Sequence, residues 1–176
     1  MGSAVLPVLD LNGGSDQNFL LIEQHLLKNG FRIKDRALEK PWGGFFVIDE
    51  TQAKEFASFY FPEVDFGSIS ITENLSPKIL AVAPGKRLSW QYHFRRAEIW
   101  RLVAGKAAIT TSDDDAERYN REIKMGEVIR LKQGERHRLI GIDGWGMVAE
   151  IWQHTVPGHL SDESDIVRLQ DDFIRK

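Results

Sequence analysis

The sequence predicts a small all-β barrel, on three observations. Short apolar or alternating runs recur after residue 66 at a spacing of ~8–12 residues. Turn signals rich in Gly, Pro and Asp separate them. The stretch before residue 67 has a different character, part helical and part extended.

The runs are Ile69–Thr72, Lys78–Ala83, Leu88–Phe94, Ile99–Val103, Ala107–Thr111, Val128–Leu131, His137–Ile142 and Met147–Gln153. Between them lie Pro84-Gly85, Ala104-Gly105, Ser112-Asp113-Asp114-Asp115, Met125-Gly126, Gln133-Gly134 and Asp143-Gly144. Ahead of the runs, Asp16–Asn29 carries Phe19, Ile22, Glu23, Leu26 and Leu27 at helical spacing, with Ser15 or Asp16 to cap it and Gly30 beyond its end. A second short helix is expected over Glu50–Phe59, with Thr51 near its cap and Pro62 as the breaker. The tail is acidic from Ser161 and reads as a short helix over Asp165–Ile174. The expected organisation is one domain overall, a segment 1–66 packed on a barrel of residues 67–176.

Composition narrows the function. The chain has 176 residues, 42% of them apolar and 28% charged, which suits one soluble globular domain with a real core. A net charge of −3 argues against nucleic acid as a partner, because such proteins carry basic patches. There is no cysteine, so disulfides and thiolate ligands are excluded. No apolar run approaches the ~20 residues of a membrane span. Ala4–Leu11 is apolar but short, without a basic lead or a clear cleavage site, and is not read as a signal peptide. The cytoplasm is the expected location.

Chemistry concentrates in two segments. In Gly85–Gly105, Gln91 and His93 are two residues apart and share one face of a strand. Glu98 lies five residues further on. A turn near Arg95-Arg96 would reset the parity and bring Glu98 to face them from the neighbouring strand. In Gly126–His137, a strand and the Gln133-Gly134 turn lead to His137 at the start of a new strand. Two imidazoles, a carboxylate and an amide oxygen form a ligand set for a first-row divalent ion. Taken singly, each of these residues reads as a polar surface residue or one with its hydrogen bonds satisfied, as His25, His154 and His159 do; the case rests on the joint pattern.

That pattern resembles the cupin superfamily, a jelly-roll barrel also described as a double-stranded β-helix. Its first motif is G-x5-H-x-H-x3,4-E-x6-G. Gly85, His93, Glu98 and Gly105 are in register with it, and Gln91 fills the first histidine slot. Its second motif is G-x5-P-x-G-x2-H-x3-N. Gly126, Gly134 and His137 match, with Lys132 for the proline and Gly141 for the asparagine. A narrower resemblance spans roughly residues 38–176. The cupin domain of type II mannose-6-phosphate isomerases shares a first-position Gln, a K-P-W-G element (Lys40-Pro41-Trp42-Gly43), an R-x-E-x-W block (Arg96 to Trp100) and a tail like Glu163 to Arg175. The chain also looks similar to standalone proteins labelled phosphoheptose isomerase. Phe94, Arg95 and Ile99 stand where the mannose enzymes often have histidines. No nucleotidyltransferase domain accompanies these residues, so pyrophosphorylase activity is not expected of them.

The resemblance implies an aldose–ketose isomerase acting on a sugar phosphate, with one divalent ion on Gln91, His93, Glu98 and His137. Zinc stands first, with nickel, manganese, iron or cobalt as the other candidates. Glu98 and Glu150 are the candidate bases. Lys40, Arg96, Arg138 and Arg168 are the candidate phosphate ligands, since guanidinium suits bidentate oxyanion recognition. The competing reading pairs Arg168 and Arg175 with Asp165 and Asp171. The resemblance further implies a homodimer. The rival functions are a non-catalytic sugar-binding or regulatory cupin and another cupin chemistry such as dioxygenation.

Overall fold

A computed structural model describes residues 9–69 and 74–175. The predicted runs fold as strands of two antiparallel sheets. One sheet has six strands in the order β1-β2-β3-β10-β5-β8, the other five in the order β11-β4-β9-β6-β7. The strands are β1 (Ile33–Lys40), β2 (Gly43–Ile48), β3 (Lys78–Val82), β4 (Trp90–Tyr92), β5 (Arg96–Gly105), β6 (Ala108–Ser112), β7 (Arg121–Glu122), β8 (Val128–Leu131), β9 (Arg136–Ile140), β10 (Gly146–His154) and β11 (Val167–Gln170). The run Ile69–Thr72 falls elsewhere: Ile69 ends a one-turn helix, α3 (Phe66–Ile69), and residues 70–73 lie outside the described residues.

The central strands β3, β5 and β10 are buried along almost their whole length because both faces of the six-stranded sheet are covered. Their two-residue period sorts side chains between two cores. Ile79 and Ala81 of β3, Ile99 and Val103 of β5, and Met147, Ala149 and Ile151 of β10 face outward. There they pack against Phe19, Ile22 and Leu26 of α1 (Ser15–Lys28) and against Phe56 and Tyr60 of α2 (Ala53–Tyr60). Leu80 and Val82, Trp100 and Leu102, and Val148 face inward, meeting Ile109 and Leu139 of the five-stranded sheet. The same alternation carries Lys78, Glu98, Glu150 and Trp152 into the barrel. Among the described residues, no helix is long and apolar enough to cross a membrane.

Several expectations are corrected. α1 starts at Ser15 with Gly14 at its N-cap and no side-chain cap. Buried Asn18 ties down the lead-in instead, accepting from Gly13 N and donating to the Leu11 and Gly13 carbonyls. Leu27 is exposed rather than part of the buried stripe. The second helix is a 3-10 turn, Glu50–Gln52, followed by α2, and Asp49 caps it by accepting from Thr51 N. Strands β1 and β2 occupy a stretch read only as extended. The predicted C-terminal helix is absent: Val167–Gln170 is an edge strand, pairing with β4 through Arg168–Gln91 and Val167–Tyr92. Exposed edge strands need no alternating apolar pattern, and three apolar residues at a 3–4 spacing (Ile166, Leu169, Phe173) gave the tail its helical look.

Candidate metal centre

The chain bends at Phe94-Arg95, and β5 begins at Arg96. Because of this bend, His93 at the end of β4 and Glu98 on β5 both point into the barrel. His137 arrives from β9 after the Gln133-Gly134 turn. Gly134 has φ +78, a conformation that disfavours side chains. Its N–H donates to the His93 carbonyl at 3.0 Å, which ties the turn to the site.

His93, Glu98 and His137 are all buried, and one ligand atom from each lies within 4.8 Å of the others. His93 Nδ1 is 2.7 Å from the Asp165 carbonyl, and His137 Nδ1 is 3.0 Å from the Glu135 carbonyl. A carbonyl can only accept, so each Nδ1 carries a proton, and in the neutral imidazole each Nε2 presents a lone pair. His93 Nε2 lies 3.1 Å from Glu98 Oε1, and His137 Nε2 lies 3.4 Å from Glu98 Oε2. His137 Nε2 is buried and makes no hydrogen bond. Lone pairs of two imidazoles and a carboxylate converging in a dry site repel one another unless positive charge sits between them. The donor set therefore fits a divalent first-row ion, with carbonyl oxygens behind both imidazoles as metal-bound histidines require.

Burial alone would raise the Glu98 carboxyl, but the charges of His93, Arg96 and His137 outweigh it and hold Glu98 well below the usual carboxylate range. Burial opposes charge on His137, yet the Glu98 carboxylate and the Glu135 carbonyl prevail and hold the imidazole above its ordinary value. An ion must displace that proton, so its affinity should fall about tenfold per pH unit for each proton released below that raised value. Titrating zinc into metal-free protein between pH 5 and 8 checks this; a pH-independent affinity would place the ion elsewhere.

Gln91 lies directly opposite His137 in the β4–β9 register, lines a cavity together with Glu98 and Glu150, and its Oε1 accepts from Ser89 Oγ at 2.5 Å. Glu150, on β10, is buried with one oxygen 2.8 Å from Trp100 Nε1 and the other 2.9 Å from Trp152 Nε1. Trp100 Nε1 also reaches Glu98 Oε2 at 3.1 Å and links the two carboxylates. Burial, with the nearby Glu98 charge adding to it, pushes the Glu150 carboxyl up to about 7.

The four cations expected to hold phosphate have separate fates. Lys40 and Arg168 line the cavity, of about 280 Å³, together with Glu98 and Glu150. Arg168 makes no ion pair among the described residues; Asp165 instead accepts from the Phe94 and Arg95 amides and from Ser161 Oγ, while Asp171 pairs with Arg175. Arg138 points away from the cavity, held by Glu117 and by Gln170 of β11. Arg96 lines the cavity but is fully engaged. Its Nε donates to Glu98 at 2.9 Å, NH1 donates to Ser161 Oγ and the Asp162 carbonyl, and NH2 lies 3.3 Å from His93 Nε2. Its guanidinium lies 3.6 Å from the Trp152 ring centre. Removing one partner of a buried ion pair costs about 3–5 kcal/mol. Arg96→Ala should therefore lower the Tm of metal-free protein by roughly 6–20 °C. A melt within 2 °C of wild type would show that Arg96 carries no such load.

Residues that motif spacing did not point to also shape the site. Asp165 supplies the carbonyl behind His93, and Lys78 lies across from Glu150 in the β10–β3 register. His154 is an ordinary buried histidine, bonded to Ser161 N and Ser76 Oγ.

The two-sheet barrel and its buried His-Glu-His group define a cupin with a centre able to hold a metal. The chain belongs to the mannose-6-phosphate isomerase C-terminal family, whose model matches residues 49–171. It is 32% identical over 159 residues to a mannose-1-phosphate guanylyltransferase of Salmonella montevideo, covering 88% of this chain and 27% of that one. It is 28% identical over 128 residues to the alginate biosynthesis protein AlgA of Pseudomonas aeruginosa, covering 71% of this chain and 24% of that one. The chain thus spans about a quarter of the length of these curated relatives. Among solved structures, oxalate decarboxylase of Bacillus subtilis superposes with a TM-score of 0.53 at 17% identity, over 77% of this chain and 30% of that one. CapF of Staphylococcus aureus gives 0.51 at 14%, over 80% and 34%. At such identities these two share the fold alone.

Proposed function

We propose that the chain is a metal-dependent aldose–ketose isomerase acting on a sugar 6- or 7-phosphate, mannose-6-phosphate isomerase-like or phosphoheptose isomerase-like. One observation carries the reading. A single cavity is lined by Glu98, the carboxylate of the His93–Glu98–His137 group, by the buried Glu150 and by the cations Lys40, Arg168 and Arg175. A phosphate at one end and a reacting carbonyl at the other ask for that combination.

A divalent ion held by His93, Glu98 and His137, with Gln91 beside them, would supply a Lewis acid for the carbonyl oxygen of the open-chain sugar. Glu150 has the attributes of the base. With its carboxyl pushed up to about 7, it can accept a proton near neutral pH and give it back, which is what general acid–base exchange between neighbouring carbons requires. The two indole N–H groups fix its orientation. Glu98, held ionised and shared among His93, Arg96 and His137, is the weaker base. Lys40, Arg168 and Arg175 would bind the phosphate.

The test is a panel of aldose and ketose phosphates incubated with metal-loaded protein and followed for interconversion. Turnover of at least one pair is expected. Binding without any interconversion would replace this reading with a non-catalytic sugar-binding cupin.

A further inference from the structure

Lys78 is a buried cation that the proposed chemistry leaves unused. Only 6% of it is exposed, although lysine is almost never buried without a compensating partner. Its ammonium lies 4.3 Å from the Trp152 ring centre and 5.0 Å from that of Phe45, so two aromatic faces hold it. Its one ion-pair partner among the described residues is Glu163, whose side chain is 70% exposed and makes no other hydrogen bond there.

The position of this pair is unusual. The cavity of about 280 Å³ that contains Glu98 and Glu150 adjoins a second one of about 800 Å³, lined by Val47, Glu50, Ser76, His154 and Leu160 among others. Phe45, Lys78, Trp152 and Glu163 line both. Lys78 and Glu163 therefore stand at the junction, one buried, the other exposed to solvent. Lys78 is also the direct cross-strand neighbour of Glu150, and such neighbours have Cβ atoms about 5 Å apart.

We propose that Lys78 is a binding residue for the anionic group of the ligand, and that the Glu163 carboxylate occupies that group's place until the ligand displaces it. The inference rests on the sugar-phosphate reading and adds to it a residue and a gate. Three features support it. A carboxylate mimics two oxygens of a phosphate in charge and reach. Glu163 loses little by leaving, because solvent already hydrates it. Lys78 is buried with its ammonium against the Phe45 and Trp152 rings, so its charge remains for whichever anion enters. Swinging Glu163 aside also opens the first cavity toward the second, giving the sugar phosphate its route to Glu150.

Calorimetry with inorganic phosphate, mannose 6-phosphate and unphosphorylated mannose tests this on metal-loaded protein. Lys78→Met keeps a stem of similar length between the two rings. It should weaken both phosphates about 10- to 150-fold, the loss of one charge-assisted bond, and leave mannose unchanged. Glu163→Gln removes the resident competitor at an exposed position and should tighten both phosphates about 2- to 5-fold. Should Lys78→Met fail to fold, the sign of the Glu163→Gln change decides alone. Wild-type protein that binds no phosphate, a Lys78→Met variant of unchanged phosphate affinity, or a Glu163→Gln variant that does not tighten overturns the proposal. The two readings part cleanly. Phosphate binding with this mutational pattern but no isomerisation sinks the isomerase and keeps the gate; isomerisation with phosphate affinity indifferent to both substitutions does the reverse.

Discussion

Zinc added to chelator-treated protein is expected to raise its Tm by roughly 8–16 °C and to leave His137→Ala unmoved. The expectation follows from linkage: an ion present at about a thousand times its Kd stabilises the native state by about 4 kcal/mol, and in a chain of this length each kcal/mol is worth about 2–4 °C. The ion replaces a costly arrangement. Without it, His137 Nε2 is buried with no hydrogen bond among the described residues, and Glu98 has the Arg96 guanidinium as its counter-charge. His137→Ala removes one nitrogen of three protein ligands. Disturbing only the groups behind a ligand already costs 10–100-fold in affinity, so loss of the ligand itself should exceed about 100-fold and abolish the shift at equal zinc. His93→Ala should behave alike. The barrel should stay folded in both, since neither histidine belongs to the two apolar cores. Equal stabilisation of wild type and both variants would mean that zinc binds elsewhere, and the centre would have to be abandoned.

Glu150→Gln is expected to lower kcat by 10²–10⁴-fold, the usual contribution of a positioned acid–base group, while zinc and sugar-phosphate affinities change little. Glutamine preserves the shape and can still accept from Trp100 or Trp152. The pH profile gives a second handle. A base must be unprotonated, so the wild-type rate should rise with pH along an acid limb at or below the value of about 7 that burial gives this carboxyl, because a bound cation opposes the shift. Metal-free stability runs the other way. The folded state holds the Glu150 proton at pH values where the unfolded chain has released it, so stability falls as pH rises from about 4.5 toward 7. Glu150→Gln should erase that fall. Hydrogen transfer between carbons without any exchange into solvent, combined with near-normal turnover in Glu150→Gln, would favour a hydride-shift route and make Glu150 a structural carboxylate.

The gathering of His93, Glu98 and His137 was legible in the sequence because its spacing encodes geometry. Two residues apart on a strand means one face, and a bend after His93 turns the odd offset of Glu98 into an inward position. Seven of the runs became strands for a related reason: buried strands are mostly apolar, and turns between them need Gly, Pro or Asp. What escaped was decided by partners distant in sequence. Arg96 reads as a free cation until Trp152, Ser161 and Asp162 are seen to consume its donors. Arg138 reads as a neighbour of His137, but odd parity sends it to the other face of β9. Lys78 looks like the polar start of an apolar strand, and only the pairing of β3 with β10 sets it beside Glu150. The tail was misread as a helix because the signal that makes β11 a strand is the free edge of β4, which no local pattern records.

The hydrogen bond from His93 to Asp165 has a consequence in time. The two residues are 72 apart in the chain. At about 5–20 residues per second, a ribosome delivers Asp165 roughly 4–14 s after His93. Through that interval His93 has no carbonyl on Nδ1, and either ring nitrogen is free to take an ion. Arrival of Asp165 leaves Nε2 as the one lone pair turned toward Glu98. The choice of nitrogen that the centre would offer a metal is thus a property of the finished molecule, and the nascent chain lacks it until Asp165 has been added.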